Sequence, residues 1–543
     1  MGLFFLLTGC GGTSESGARA GISVGNGEPA TVTNTVANPA AMQPGDLYQL
    51  TFKGGASAAI DLSGASDDAE YALAVMNLGV RGAAAQVQLV GNESAIPVAA
   101  KGTAADLNAS IPDVAAEVED WDLQGVFDAQ LRLWETAMER EPLDDSPALL
   151  SKAAGTRSDY VVGDERAFRV ISNLNSVSQY AEPTGEVRCV GDNVVFFVDT
   201  AVSRRSAALT DADIETLCRR FDRQLEKEVG LFGAPSDIND DGKVSVFLTP
   251  QVNRLGASGG GIITGFFFAN DLLARAERNP VSNEQEIIYL LVPDPDGDYG
   301  VPIGRDLALQ NLIPAVLVHE LQHAINYNQH VLAGEGAPEE SWLNEGLSHL
   351  AEDLLGMGME NPSRYALYLE RTAGNPIVTP TSPGLVARGG IFLFLRYLYE
   401  QVGNRQEFVW ELLHGSESGV ANLEAAVGST NDGFDQFAEF MMRWSATLAL
   451  NDTGLTKDAR YQYAERAWDA EQGLFSGVCT ICAAEDFRGT ELAGVQPLLY
   501  TGHSTAQLAP AAVQYYVVTG AQQRVTLWAG GSGEFGAVLI RTK

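Results

Sequence analysis

Apolar and polar positions partly alternate in two early stretches, residues 46–53 (DLYQLTFK) and 71–77 (YALAVMN), a period near two that predicts short strands. A small β-sandwich-like domain over residues 26–105 is the expected outcome. From Ile111 to Glu141 the pattern changes. Val114, Val118, Trp121, Leu123, Val126, Leu131, Leu133 and Trp134 recur among acidic residues, which predicts an amphipathic helix or two in a connector over 106–157. Residues 158–475 mix strand and helix signals and hold nearly every chemically informative feature. Beyond Cys482 strand character returns in 513–518 (VQYYVV) and 523–528 (QRVTLW), followed by the AGGSG turn at 529–533. Residues 476–543 are therefore expected to form a second β-sandwich-like module. No fixed-period repeat is visible, and the chain reads as multidomain α+β.

Size agrees: 543 residues exceed what one hydrophobic core holds, so about two to four domains are expected. A hydrophobic content of 45% is enough to build packed cores. The 70 acidic residues against 35 basic ones give a net charge of −35, which repels phosphate backbones and argues against a nucleic-acid partner. The opening MGLFFLLTGC ends in Leu7-Thr8-Gly9-Cys10, similar to a bacterial lipobox, and small flexible residues follow. Residues 1–25 thus read as a shortened export signal and tether. Lipidation of Cys10 is the expectation, and with it export to the cell envelope; membrane contact would be through that anchor alone. No later run approaches the roughly 20 apolar residues of a membrane helix. Apart from Cys10, Cys189, Cys218, Cys479 and Cys482 make an even set suited to two disulfides in an oxidising compartment.

The chemistry concentrates at His319-Glu320-Leu321-Gln322-His323. Pro314 suits a first helical turn and no breaker follows, so this segment is expected to be a helix with both histidines on one face, able to share a Zn²⁺ ion. Glu320 then stands beside the metal as the general base rather than as a ligand. A catalytic zinc takes three protein ligands and keeps one position open. Glu345, 22 residues beyond His323 in a second helical segment, is the leading third ligand, with Glu352 and Asp353 as alternatives. Two histidines of a core helix face would be the structural alternative.

HELQHAINYNQ at 319–329 followed by WLNEGLSHLAED at 342–353 resembles the hyicolysin family of neutral metallopeptidases, within the gluzincin group. Further similar blocks are 237–248 (DINDDGKVSVFL), 265–268 (GFFF), 282–289 (SNEQEIIY) and 389–398 (GGIFLFLRYL). The resemblance spans about 190–405 and is strongest over 311–355. It implies a zincin-type core of mixed sheet plus active-site helices within 158–475, one catalytic zinc, and peptide or protein substrates. Related gluzincins often carry a tyrosine just before the block at Gly389 to support the oxyanion, where this chain has Val386-Ala-Arg-Gly389. Tyr365, Tyr368, His349 and Arg388 are then the donors to consider. Asp237, Asn239 and Asp241 match the first half of a calcium loop. Leu248 replaces its final glutamate, so either an acidic turn or a Ca²⁺ site unlike an EF-hand is expected. Residues 282–292 are expected to be a strand, either a plain core strand or one that holds an extended peptide at the sheet edge. Competing readings are a surface binding module on a degenerate scaffold and a zinc hydrolase of a non-peptide substrate.

Overall fold

The computed structural model describes residues 31–32, 38–91, 123–140 and 160–543 apart from 335, 380, 431–435 and 470–473. Cys10 and the expected tether lie outside the described residues. The N-terminal strands are β1 (Thr31–Val32), β2 (Leu47–Lys53), β3 (Ser57–Asp61), β4 (Glu70–Asn77) and β5 (Ala85–Val90). Helix α1 (Leu123–Arg140) is the described part of the expected connector. Six strands then follow for the central sheet, interrupted by a small hairpin: β6 (Glu165–Ala167), the hairpin β7 (Val170–Ile171) and β8 (Tyr180–Ala181), β9 (Thr184–Val190), β10 (Val194–Asp199), β11 (Val244–Leu248), β12 (Gly265–Phe267) and β13 (Ile287–Leu290). Helices α2 (Asp211–Phe232) and α3 (Pro250–Ser258) lie among them. After the sheet come α4 (Ile313–Tyr327), α5 (Ser341–Leu354), α6 (Asn361–Glu370), α7 (Leu385–Gln401), α8 (Arg405–His414), α9 (Gly419–Ser429) and α10 (Phe437–Leu450). Two short hairpins, β14 (Ala467–Asp469) with β15 (Leu474–Ser476) and β16 (Ile481–Ala483) with β17 (Glu491–Ala493), lead into β18 (Leu498–Leu499), β19 (His503–Leu508), β20 (Val513–Thr519), β21 (Arg524–Ala529) and β22 (Glu534–Arg541).

The two terminal β regions, expected as separate modules, build one sandwich together. One sheet runs β1-β2-β22-β4-β20-β18 and the other β19-β5-β21-β3, so strands from each end lie between strands from the other. Leu50 stands opposite Ala537 and Leu73 opposite Leu539. Period two explains how this sandwich attaches to the rest of the molecule. Leu73, Val75, Tyr516 and Leu539 fill the sandwich interior, while Ala74, Met76, Tyr515 and Val538 join the core shared with the helical region. The Tyr515 hydroxyl donates to the Ser445 carbonyl on α10 at 2.9 Å. Strands buried on both faces lose the polar alternation of a half-exposed sheet, as in the nearly unbroken burial of β22.

The central sheet has the order β12-β13-β11-β10-β9-β6. Its middle strands are parallel and its flanks antiparallel. Of the two readings of residues 282–292, the structure supports the core strand and not the peptide-holding edge: β13 lies inside, between β12 and β11. The edge is β12. Cys189 on β9 is bonded to Cys218 on α2, and Cys479, just ahead of β16, to Cys482 within it. Helix α2 opens with a capping box in which Thr210 and Asp213 satisfy each other's backbone N–H groups. Among the described residues no helix is long and apolar enough to cross a membrane.

Candidate metal centre

Helix α4 is buried almost all round, with Pro314 in its first turn, so its apolar sequence is that of a core helix packed against β12, β13, α2 and α5. Gly265 lets β12 lie against it: a Cβ there would come within 2.7 Å of the Val316 Cγ1 atom. His319 and His323, one helical turn apart, put their Nε2 atoms 3.2 Å from each other. Helix α5 presents Glu345 to the same point. Its Oε2 lies 3.4 Å from His319 Nε2 and its Oε1 lies 3.6 Å from His323 Nε2. Gly346 makes that approach possible, because a Cβ at this position would meet Ile391 Cγ2 of α7 at 2.5 Å.

Three donors bound tetrahedrally at about 2.0–2.1 Å would stand about 3.3–3.4 Å apart, close to the separations seen here. Glu345 is wholly buried, yet neither of its oxygens has a well-directed hydrogen-bond donor. Arg388 Nη1, 3.1 Å from Oε2, supplies charge but no well-directed hydrogen bond, and a cation between the carboxylate and the two imidazole nitrogens would complete the group. The buried His319, His323 and Glu345 group can therefore hold a metal such as zinc.

The surrounding contacts fix ring orientation. His319 Nδ1 faces Glu352 Oε1 at 2.7 Å, and His323 Nδ1 faces Asn344 Oδ1 at 3.0 Å, which leaves both Nε2 atoms to the centre. Arg388 Nη1 lies 3.1 Å from Glu345 Oε2, and its Nη2 bonds Asp128 of α1 at 3.0 Å. Glu320 turns toward the sheet edge, where its Oε2 accepts the Phe267 backbone N–H at 2.9 Å. The group is closed to solvent, with exposures of 6% for His319, 3% for Glu320, 2% for His323 and 0% for Glu345.

Burial and charge pull these groups in opposite directions. Burial raises Glu320 to about 7, against the pull of His319. Burial also opposes ionisation of Glu345, but the Arg388 guanidinium leads the groups that outweigh it and hold the carboxyl well below its ordinary range. For His323 burial wins, and the ring is held well below its usual value, in the neutral form a metal ligand requires.

Glu352 and Asp353, the alternatives to Glu345, have other partners. Glu352 serves His319 and also His349, whose Nδ1 lies 3.0 Å away. Asp353 pairs with Arg396 at 3.0 Å. His319, His349 and Glu352 form a second convergent group that shares His319. Of the donors weighed for the missing tyrosine, Tyr365 and Tyr368 stack on Phe392 and Trp444, whereas Arg388 and His349 reach the centre. Asp237, Asn239 and Asp241 make a hydrogen-bonded turn. Asp241 accepts from Tyr160, Asn239 and the Lys243 N–H, and Asp237 from the Gly242 N–H. They are not among the convergent groups of His, Cys, Asp and Glu side chains in the described residues.

A Glu352→Gln chain tests the support of His319. It keeps the side chain's size but removes the charge on Nδ1, and zinc affinity measured against a competing chelator is expected to fall about 10- to 100-fold.

No family model matches the chain. It is similar to the neutral metalloprotease ShpI of Staphylococcus hyicus, at 26% identity over 257 residues. The match covers 46% of this chain and 56% of that protein, so the chain spans about half the length of the relative.

Proposed function

We infer that the chain is an exported zinc-dependent endopeptidase whose metal ligands are His319, His323 and Glu345 and whose general base is Glu320. The observation that carries this reading is the convergence of two Nε2 atoms and a donor-poor buried carboxylate on one point. The partial similarity to a neutral metalloprotease supports the choice of peptide substrates. The two disulfides suit an oxidising compartment outside the cytoplasm.

Zinc, when bound, supplies Lewis acidity that polarises a carbonyl and acidifies water. The chain's own residues do the rest. Glu320 follows His319 on α4, which places its carboxylate beside the centre and outside the ligand set; raised toward neutrality, it can take a proton from water and return it to the leaving amine. Glu352 and Asn344 hold the two rings in the tautomer that leaves Nε2 free. Arg388 orients Glu345 and is a cation beside the centre, available to developing negative charge. The apolar packing of Leu317, Val318, Leu321 and Ile325 excludes water.

The test is hydrolysis of casein by wild-type and Glu320→Ala chains at equal zinc content. Each is assayed before and after limited proteolysis, so that the closed centre does not mask activity. Wild type is expected to cleave in at least one state and the variant in neither.

A further inference from the structure

The outer edge of β12 is already taken. In its antiparallel pairing with β13, Phe266 stands opposite Tyr289, and Gly265 and Phe267 turn backbone groups outward. Side chains of α1 bond that outward row. Gln124 accepts from the Thr264 N–H at 2.9 Å and donates to the Gly265 carbonyl at 3.0 Å. Arg132 donates to the Phe267 carbonyl at 3.1 Å, and Glu135 accepts from the Ala269 N–H at 2.9 Å. With Asp128, these residues sit at spacings of four, four and three on one helix face. The lengths match: 11 helical residues rise about 16 Å, and so do five residues of strand. Asp128 reaches past the edge to Arg388 beside the metal ligands.

A polypeptide added to this edge would need the same N–H and carbonyl groups, because strand addition works through main-chain pairing. Helix and extended peptide cannot occupy the row together. The burial of His319, Glu320, His323 and Glu345 is the independent sign that the cleft is shut.

We propose that α1 is an autoinhibitory segment, seated on β12 in place of an extended peptide substrate, and that the full chain is the latent form of the enzyme. The proposal rests on the peptidase reading above. Asp128 latches α1 to Arg388, while Gln124, Arg132 and Glu135 stand in for the backbone of a substrate. Phe127, edge-on to Phe266 at 5.2 Å between ring centres, anchors the middle.

Two full-length variants test it. In one, Gln124→Ala, Arg132→Ala and Glu135→Ala remove the edge contacts and spare Asp128, so that Arg388 keeps its ion pairs with Asp128 and Glu345. In the other, protease recognition sequences placed on both sides of α1, within 92–122 and 141–159, are cut only after folding, which covers the case that the triple variant does not fold. The readouts are capture of bound zinc by a chromogenic chelator and hydrolysis of casein. Capture and hydrolysis are both expected to rise about tenfold or more, in proportion to the open fraction. A synthetic peptide of sequence 123–140 should reverse both. Zinc capture no faster in either variant than in the intact chain overturns the proposal, as does an intact chain that already cleaves casein as fast as the cut one. Faster capture without hydrolysis leaves α1 as the cover of the metal centre and removes the peptidase reading instead.

Discussion

A Glu320→Ala chain is expected to bind zinc as the wild type does and to lose about 10²- to 10⁴-fold of its peptide hydrolysis, a barrier increase of about 3–5 kcal/mol. Retention of zinc follows because the Glu320 carboxylate is not among the convergent donors and bonds the Phe267 N–H instead. The loss follows because the neighbouring carboxylates of α5 are otherwise engaged: Glu345 faces the histidines, and Glu352 is held by His319 and His349. Alanine also strands the Phe267 N–H, so Glu320→Gln is the companion variant. Glutamine can still accept that bond but cannot take a proton, and it should be as inactive as alanine. Activity in the glutamine chain would move the base elsewhere. Zinc-loaded wild type inert toward casein in both states would favour a non-peptide substrate or a binding role.

The second large effect is expected at Glu345. Its replacement by alanine removes one of the three proposed ligands and leaves Arg388 beside two imidazoles without its Glu345 ion pair. Zinc affinity should fall by more than the about 10- to 100-fold typical of losing an outer partner. Equilibrium dialysis against a chelator measures this directly. Stoichiometric, tight zinc in that variant would assign the third ligand to another residue, with Glu352 next in line through the second convergent group.

Much of the centre was legible before any fold was known. The four-residue spacing of His319 and His323 and the placement of Pro314 specify a helix with both rings on one face. Spacing alone could not rank Glu345 above Glu352 and Asp353, because all three share a helix. Glu345 and Glu352 are seven residues, about two turns, apart and so lie on one face, and only the tilt of α5 against α4 gives one to Nε2 and the other to Nδ1. Asp353, about 100° further round, meets Arg396.

The joint sandwich was hidden for a different reason. Its decisive pairs, such as Leu50 with Ala537, lie almost a whole chain apart, and local periodicity carries no record of partners. At β13 the plain core-strand reading is the one that holds. The unbroken apolar run Ile287–Leu290 is the mark of an interior strand. The stripe of Gln124, Asp128, Arg132 and Glu135 reads in sequence as the solvated face of an amphipathic helix. The structure buries three of the four, because the strand edge beneath them offers backbone partners.

Zinc K-edge X-ray absorption of the intact, zinc-loaded chain tests the metal centre most directly, since it needs neither substrate nor an open cleft. The account predicts two imidazole nitrogens and carboxylate or water oxygens at about 2.0–2.2 Å, a spectrum that changes when Glu345 is replaced by alanine. A thiolate shell at about 2.3 Å, or a spectrum indifferent to Glu345, His319 and His323, would contradict it.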